Sequence, residues 1–123
     1  MRELEFRWKG KYTSVWYYWN TKKDPVLWNG VWTEECCQFI GLSDCNNARI
    51  FEGDVVEIEK RIPFGNTVIL GVVKYSPQNA RYEVVEESGD LTTLQDVGNI
   101  KIIGNIYDNK EFSIKYGKWY FEK

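Results

Sequence analysis

The chain has 123 residues, 43% hydrophobic and 28% charged, with a formal net charge of −2 and no histidine. That size and balance describe a globular chain that buries about two thirds of the surface it exposes when unfolded, enough for a core without metal or disulfide support. They exclude a global basic field for holding nucleic acid, and the missing histidine removes the commonest general base and the commonest metal ligand together.

In chain order, the N-terminal segment opens on Met1-Arg2-Glu3-Leu4-Glu5, which lacks the apolar core of a signal peptide. No apolar run approaches the about 20 residues that a membrane-spanning helix needs. A cytoplasmic location is the expectation. Leu4, Phe6 and Trp8 alternate with Glu3, Glu5 and Arg7, the period of a half-buried strand. Thr13 to Trp19 is dominated by β-branched and aromatic residues and forms a second strand. Asn20 to Pro25 is a turn. Val26–Trp28 and Val31–Thr33 flank Asn29-Gly30, a hairpin signal because both central positions favour positive φ. Residues 1–45, with five of the six tryptophans, therefore form a small antiparallel β subdomain.

From Phe39 to Val56 the chain places Gly, Asn and Asp between β-branched and aromatic residues, the chemistry of tight turns joining strands. Val55–Glu59 is a strand, Ile62–Asn66 a loop, and Thr67–Tyr75 a strand with Gly71 marking a bulge or bend. Ser76–Asn79 is a turn and Arg81–Glu86 alternates as a strand. Ser88-Gly89-Asp90 turns again, and Leu91–Asp96 fits a short strand, a loop or one helical turn. Asn99–Tyr107 is a further strand with Gly104 inside it. Residues 46–109 thus form a strongly bent sheet, which closure into a barrel would relieve of open edges. The tail, residues 110–123, has strand-like pieces around Tyr116-Gly117. The fold class is all-β.

Few residues offer chemistry. Glu52 and Asp54 flank Gly53 as a carboxylate pair, yet a glycine at positive φ with an aspartate fixing nearby amides describes a structural turn better. Asp44, Asn46 and Asn47 fail the calcium-loop spacing, since the required glycine and terminal glutamate are misplaced. Cys36, Cys37 and Cys45 are an odd count with two adjacent, which is no secreted disulfide framework. As a zinc set they are one ligand short, and only a carboxylate such as Asp44 remains to complete it. No serine-nucleophile motif, phosphate loop or dinucleotide fingerprint is present. No cofactor is expected, and an enzyme is not the expected class.

The sharpest functional lead is the aromatic and basic set Arg7, Trp8, Lys9, Lys11, Tyr12, Trp16, Tyr17, Tyr18, Trp19, Lys22 and Lys23. Such sets stack single-stranded nucleic acid, and Trp- and Tyr-rich faces equally form protein interfaces. The net acidic chain favours contact with another subunit or a protein partner, because electrostatics dominates nucleic-acid affinity.

Four stretches in order carry a resemblance, the third of them Gly71-Val72-Val73-Lys74-Tyr75. Phe6-Arg7-Trp8, the block Phe39 to Val56, and Ile103-Gly104-Asn105-Ile106-Tyr107-Asp108-Asn109 resemble, in order, the F-R-x-W, Y-T-G-L-x-D-x-x-G-x-x-I-Y-E-G-D-x-V and G-N-I-x-E-N-P blocks of the YopX family of phage and prophage proteins. Asn47 stands where the family has its turn glycine, Lys110 where it has proline, and Trp8 follows Arg7 directly. The resemblance implies an all-β protein with a C-terminal SH3-like barrel that self-associates as a homo-oligomer in a bacterial host. It implies no established activity and carries over no catalytic residue. At the shared positions Gly41, Gly53, Asp54, Gly104 and Asn105, turns and bends are expected.

Overall fold

A computed structural model describes residues 5–9, 15–20, 37–94 and 97–121. The Asn29-Gly30 hairpin, the turn after Asn20, Tyr12 and Cys36 lie outside the described residues. Nine strands and one helix are described: β1 (Glu5–Lys9), β2 (Trp16–Asn20), β3 (Cys37–Ser43), β4 (Arg49–Phe51), β5 (Asp54–Ile62), β6 (Gly65–Ser76), β7 (Arg81–Glu86), β8 (Leu91–Thr93), β9 (Val97–Asn105) and α1 (Lys110–Phe121). They make two antiparallel sheets, one ordered β2-β1-β3-β4 and the other β8-β7-β6-β5-β9.

The centre of the larger sheet is buried on both faces, and its sequence explains why. Val55-Val56, Val72-Val73 and Val84-Val85 are adjacent apolar pairs, so each strand sends one valine to each face. Val56, Val73 and Val84 join Ile58 and meet Ile40 and Ile50 of β3 and β4. On the opposite face Val55, Val72 and Val85 meet Ile106 and Tyr116 of α1. Gly71 of β6 has no room for a side chain, since a Cβ would sit 2.5 Å from Val84 Cγ1 and 2.7 Å from the Val85 carbonyl oxygen.

The tail differs from the strand-like expectation: Lys110–Phe121 is an α-helix. Phe112, Tyr116, Trp119 and Tyr120 stand at i, i+4, i+7 and i+8, one helical face, and all four lie in or against the cluster on the sheet's second face. Ile114, off that face, is 75% exposed. Tertiary burial overrides the strand preference of the aromatic residues. The helix begins close to β9 because Gly104 lacks a side chain; a Cβ there would fall 2.6 Å from Asn109 Oδ1 and 2.7 Å from Phe112 Cε2. The Lys74 ammonium donates 2.6 Å to the Trp119 carbonyl in the last turn, where a cation suits the helix dipole.

Leu91–Asp96 resolves into β8 followed by a single 3₁₀ position at Leu94 among its described residues. Among the described residues no helix is long and apolar enough to cross a membrane.

Candidate functional site

Three separated stretches meet where the four-stranded sheet docks on the larger one: β1 around Arg7, the turn Phe51 to Asp54, and the turn after β9. At the first turn Gly53 has φ of 86°. The Gly53 amide donates to the Val73 carbonyl at 2.9 Å, and its own carbonyl accepts from the Ile106 amide at 3.0 Å. Asp54 Oδ2 accepts from the Phe51 amide at 2.8 Å. Glu52 and Gln38 clamp reciprocally: the Glu52 amide donates to the Gln38 carbonyl, and the Gln38 amide donates to Glu52 Oε1, each at 3.0 Å. Burial lifts the Glu52 carboxyl above its usual range, against the Gln38 amide.

Arg7 crosses this junction. Its guanidinium pairs with Asp54 Oδ1 and lies 4.6 Å from the centre of the Trp16 ring and 4.7 Å from that of Phe51. Burial alone would lower the Arg7 value, but the Asp54 charge and hydrogen bond outweigh it and raise it. Trp16 is fixed in turn, with Nε1 donating to Asp108 Oδ2 at 2.8 Å and its ring 5.8 Å from Tyr107, edge-on. The loop that presents Asp108 is closed by Asn105, whose Oδ1 accepts from the Tyr107 amide at 2.9 Å and the Asp108 amide at 2.8 Å.

These contacts change the picture of the N-terminal aromatic set. Alternation along β1 puts Glu5 and Arg7 on the solvated face, yet both are buried. Each has a counter-charge on the chain that follows β3: Glu5 pairs with Arg49, and Arg7 with Asp54. Of the residues grouped by sequence with an interaction surface, Arg7 is buried and Trp16 is half-buried beside it. Tyr17 and Tyr18 are exposed at 45% and 65%, beside Val15 at 52%. The side chains of Trp8 and Trp19 lie outside the described residues. Above the junction a groove of about 440 Å³ is lined by Arg7, Tyr18, Arg49, Phe51, Asp54 and Asn105, among others. The Tyr18 ring stands edge-on to Phe51 at 5.8 Å.

The Asp44 loop is built on backbone amides. Asp44 Oδ1 accepts from Asn46 and Ala48, each at 2.9 Å, and Oδ2 from Ile102 at 3.1 Å. Burial alone would raise this carboxyl, but the three amides and Lys101 bring it below the usual range. Asn47 has φ of 64° and Gly41 φ of 92°, the left-handed conformations their turns need. Among the described residues no three His, Cys, Asp or Glu side chains gather around a common point suited to a metal ion.

Sequence reasoning missed a part-buried polar cluster made by Cys37, Tyr107 and Tyr120. The Tyr107 hydroxyl donates to the Tyr120 oxygen at 3.1 Å, and burial lifts both phenols well above their ordinary range. Burial also pushes the Cys37 thiol up to about 11, against a hydrogen bond with Tyr107 and the nearby Arg7 charge. No motif marks these residues, because β3, the turn after β9 and α1 meet only in the folded chain. With the folded value raised, stability from the neutral thiol is complete below the unfolded thiol's ordinary value and is lost as pH climbs through about 11. Iodoacetamide on the native protein is therefore expected to modify exposed Cys45 and spare buried Cys37 from neutral to mildly alkaline pH. Site-resolved mass spectrometry checks this, and Cys37 reacting as fast as Cys45 would contradict it.

No curated protein and no solved structure matches the chain. A family model does, described as YopX protein and spanning residues 1–112, so that Arg7, the Glu52–Asp54 turn and the loop after β9 all fall within the match. The chain belongs to the YopX family.

Proposed function

We propose that this chain is a non-enzymatic binding and assembly module that self-associates through its N-terminal aromatic sheet, in the cytoplasm of a bacterium hosting a phage or prophage. The supporting observation is the exposure of Val15, Tyr17 and Tyr18 on a sheet whose position is pinned by the Arg7–Asp54 pair. Aromatic side chains on a rigid support lose little conformational entropy on docking and are enriched at interfaces. In this proposal residues 46–109 act as an SH3-like barrel. Its support is the β5–β8 meander, the 3₁₀ position at Leu94 and the return of β9 to pair with β5. The non-enzymatic character is supported by Glu52 and Asp54, whose carboxylates are engaged by backbone amides and, for Asp54, by Arg7. No cofactor or metal is assigned. Family membership supports the phage or prophage origin.

Light scattering across a concentration series tests the proposal. The native chain is expected to associate, and the Y17S/Y18S variant to associate at least about tenfold more weakly, as loss of interface aromatics does. A strict monomer at every concentration would overturn it.

Single-stranded nucleic acid is the second reading, favoured by the groove in which Tyr18 stands beside Arg7 and Arg49. It is the weaker one because both arginines already have counter-charges, Asp54 and Glu5, leaving less charge for phosphates. Tryptophan quenching by single-stranded oligonucleotides, lost steeply with added salt, would put it first.

A further inference from the structure

The β5–β6 hairpin is longer than the sheet that contains it. β6 runs from Gly65 to Ser76, but β7 pairs only with Gly71 to Ser76. Over Gly65 to Leu70 the strand is paired with β5 on one side, and among the described residues nothing pairs with its other side. The chain leaves β7 at Glu86, where that residue's amide turns back to the Asp90 carbonyl, so β7 does not continue alongside Leu70. A run of backbone N–H and C=O groups is therefore open to another strand.

Edges of this kind are normally blunted by charge, proline, a bulge or a cover. Among the described residues none of these stands on β6: Asn66-Thr67-Val68-Ile69-Leu70 is uncharged, and Thr67 to Ile69 are β-branched. The charges lie one strand inward, where Glu59 is opposite Val68, Glu57 opposite Leu70 and Lys60 opposite Thr67. The ribbon carries several exposed apolar side chains, with Phe64 at 98%, Val68 at 56%, Ile62 at 42% and Leu70 at 39%. Ile69, on the other face, packs against the core and holds the ribbon in place.

We infer that the free edge of β6, Gly65 to Leu70, pairs antiparallel with the same edge of a second copy of this chain. The occupant follows from the edge's chemistry. Across a two-fold axis centred on Val68, no charged residue meets another. Asn66 of one copy falls opposite Leu70 of the other, Thr67 opposite Ile69, and Val68 opposite Val68. Residues 66, 68 and 70 share a face by the period of two, so this register keeps the exposed side chains together. A charged edge would repel its own image, whereas a neutral one pairs isologously without like-charge contact. The paired edges would join two five-stranded sheets into one. This contact is distinct from the aromatic surface of β2 and does not depend on it.

Two full-length variants test it. Val68 is more than half exposed, so V68K and V68E alter the edge while leaving the core intact. Sedimentation of each variant alone is expected to show association weakened about tenfold or more, because two like charges meet at the axis. Mixing V68K with V68E is expected to restore it, a result that a folding defect cannot produce. Hydrogen exchange supplies an independent readout: amides of residues 66–70 in the native chain should be protected at high protein concentration and lose that protection on dilution. The inference is overturned if V68K sediments like the native chain, or if exchange in this segment does not change with concentration. A native assembly that resists V68K and yields to Y17S/Y18S would overturn the edge contact and leave the aromatic-sheet proposal standing.

Discussion

Replacing Asp54 with Asn is expected to remove about 3–5 kcal/mol of folding stability, the cost of leaving a buried charge without its partner. A domain of this size has about 5–15 kcal/mol in total, so the loss is large. The reason lies with Arg7 rather than with Asp54. The carboxyl is itself costly to bury: burial raises its value above the ordinary range despite Arg7 and the Phe51 amide. The pair is therefore no large net source of stability, but removing one member strands the other. Among the described residues Arg7 Nε lacks a hydrogen-bond partner even with Asp54 present, and Asp54 is the counter-charge that the guanidinium pairs with. An Asn side chain still offers an oxygen to the Phe51 amide, so the turn survives and the effect isolates the charge. The paired variant R7M/D54N, with neither charge, should be less destabilised than D54N alone. Guanidinium unfolding of the native chain, R7M, D54N and R7M/D54N measures the coupling, and a D54N midpoint equal to the native one would refute this account of the junction.

Gly53→Ala is expected to cost about 2–5 kcal/mol, from two independent sources. A φ of 86° is the left-handed region, worth about 1–2 kcal/mol against any residue with a Cβ. The added carbon would also sit 2.8 Å from Tyr107 Cε2, and overpacking of this kind costs about 1–3 kcal/mol. Tyr107 has little freedom to retreat, because its hydroxyl bonds Tyr120 and its ring meets Trp16. Gly98→Ala is the control. Its φ is not positive, and its nearest neighbour is the flexible end of Glu59 at 3.3 Å. Thermal unfolding followed by tryptophan fluorescence should show a lower midpoint for G53A and little change for G98A. Equal midpoints for G53A and the native chain would mean that this turn tolerates a side chain.

Both substitutions act at the place where two parts of the chain join, and that junction was only half visible in the sequence. Gly53-Asp54 reads as a turn because glycine supplies positive φ and aspartate accepts a local amide. Asn105 reads the same way, and its bonds to Tyr107 and Asp108 are as local as its neighbours in the chain. The second partner of Asp54 was not visible, because Arg7 lies 47 positions away. Period-two patterning assigned Glu5 and Arg7 to water, since patterning records polarity and knows nothing of a counter-charge on another strand.

The helix shows the same division. Its aromatic and β-branched content favours a strand when propensity alone is weighed, while the spacing of Phe112, Tyr116, Trp119 and Tyr120 suits a helix equally well. Which periodicity applies depends on what the face meets. Here it meets Val55, Val72 and Val85, the half of the valine pairs that β3 and β4 leave uncovered.

By itself the sequence determined most of the described strands, the turns between them and the family, because alternation, Gly-Asn-Asp chemistry and motif order are local properties of the chain. Only the tertiary structure decided that the tail is helical, that Arg7 is buried against Asp54, that Cys37 shares a polar pocket with two tyrosines, and that β6 outruns β7. Each of these depends on a partner distant in sequence, and the burial or pairing of a side chain is a property of both partners together.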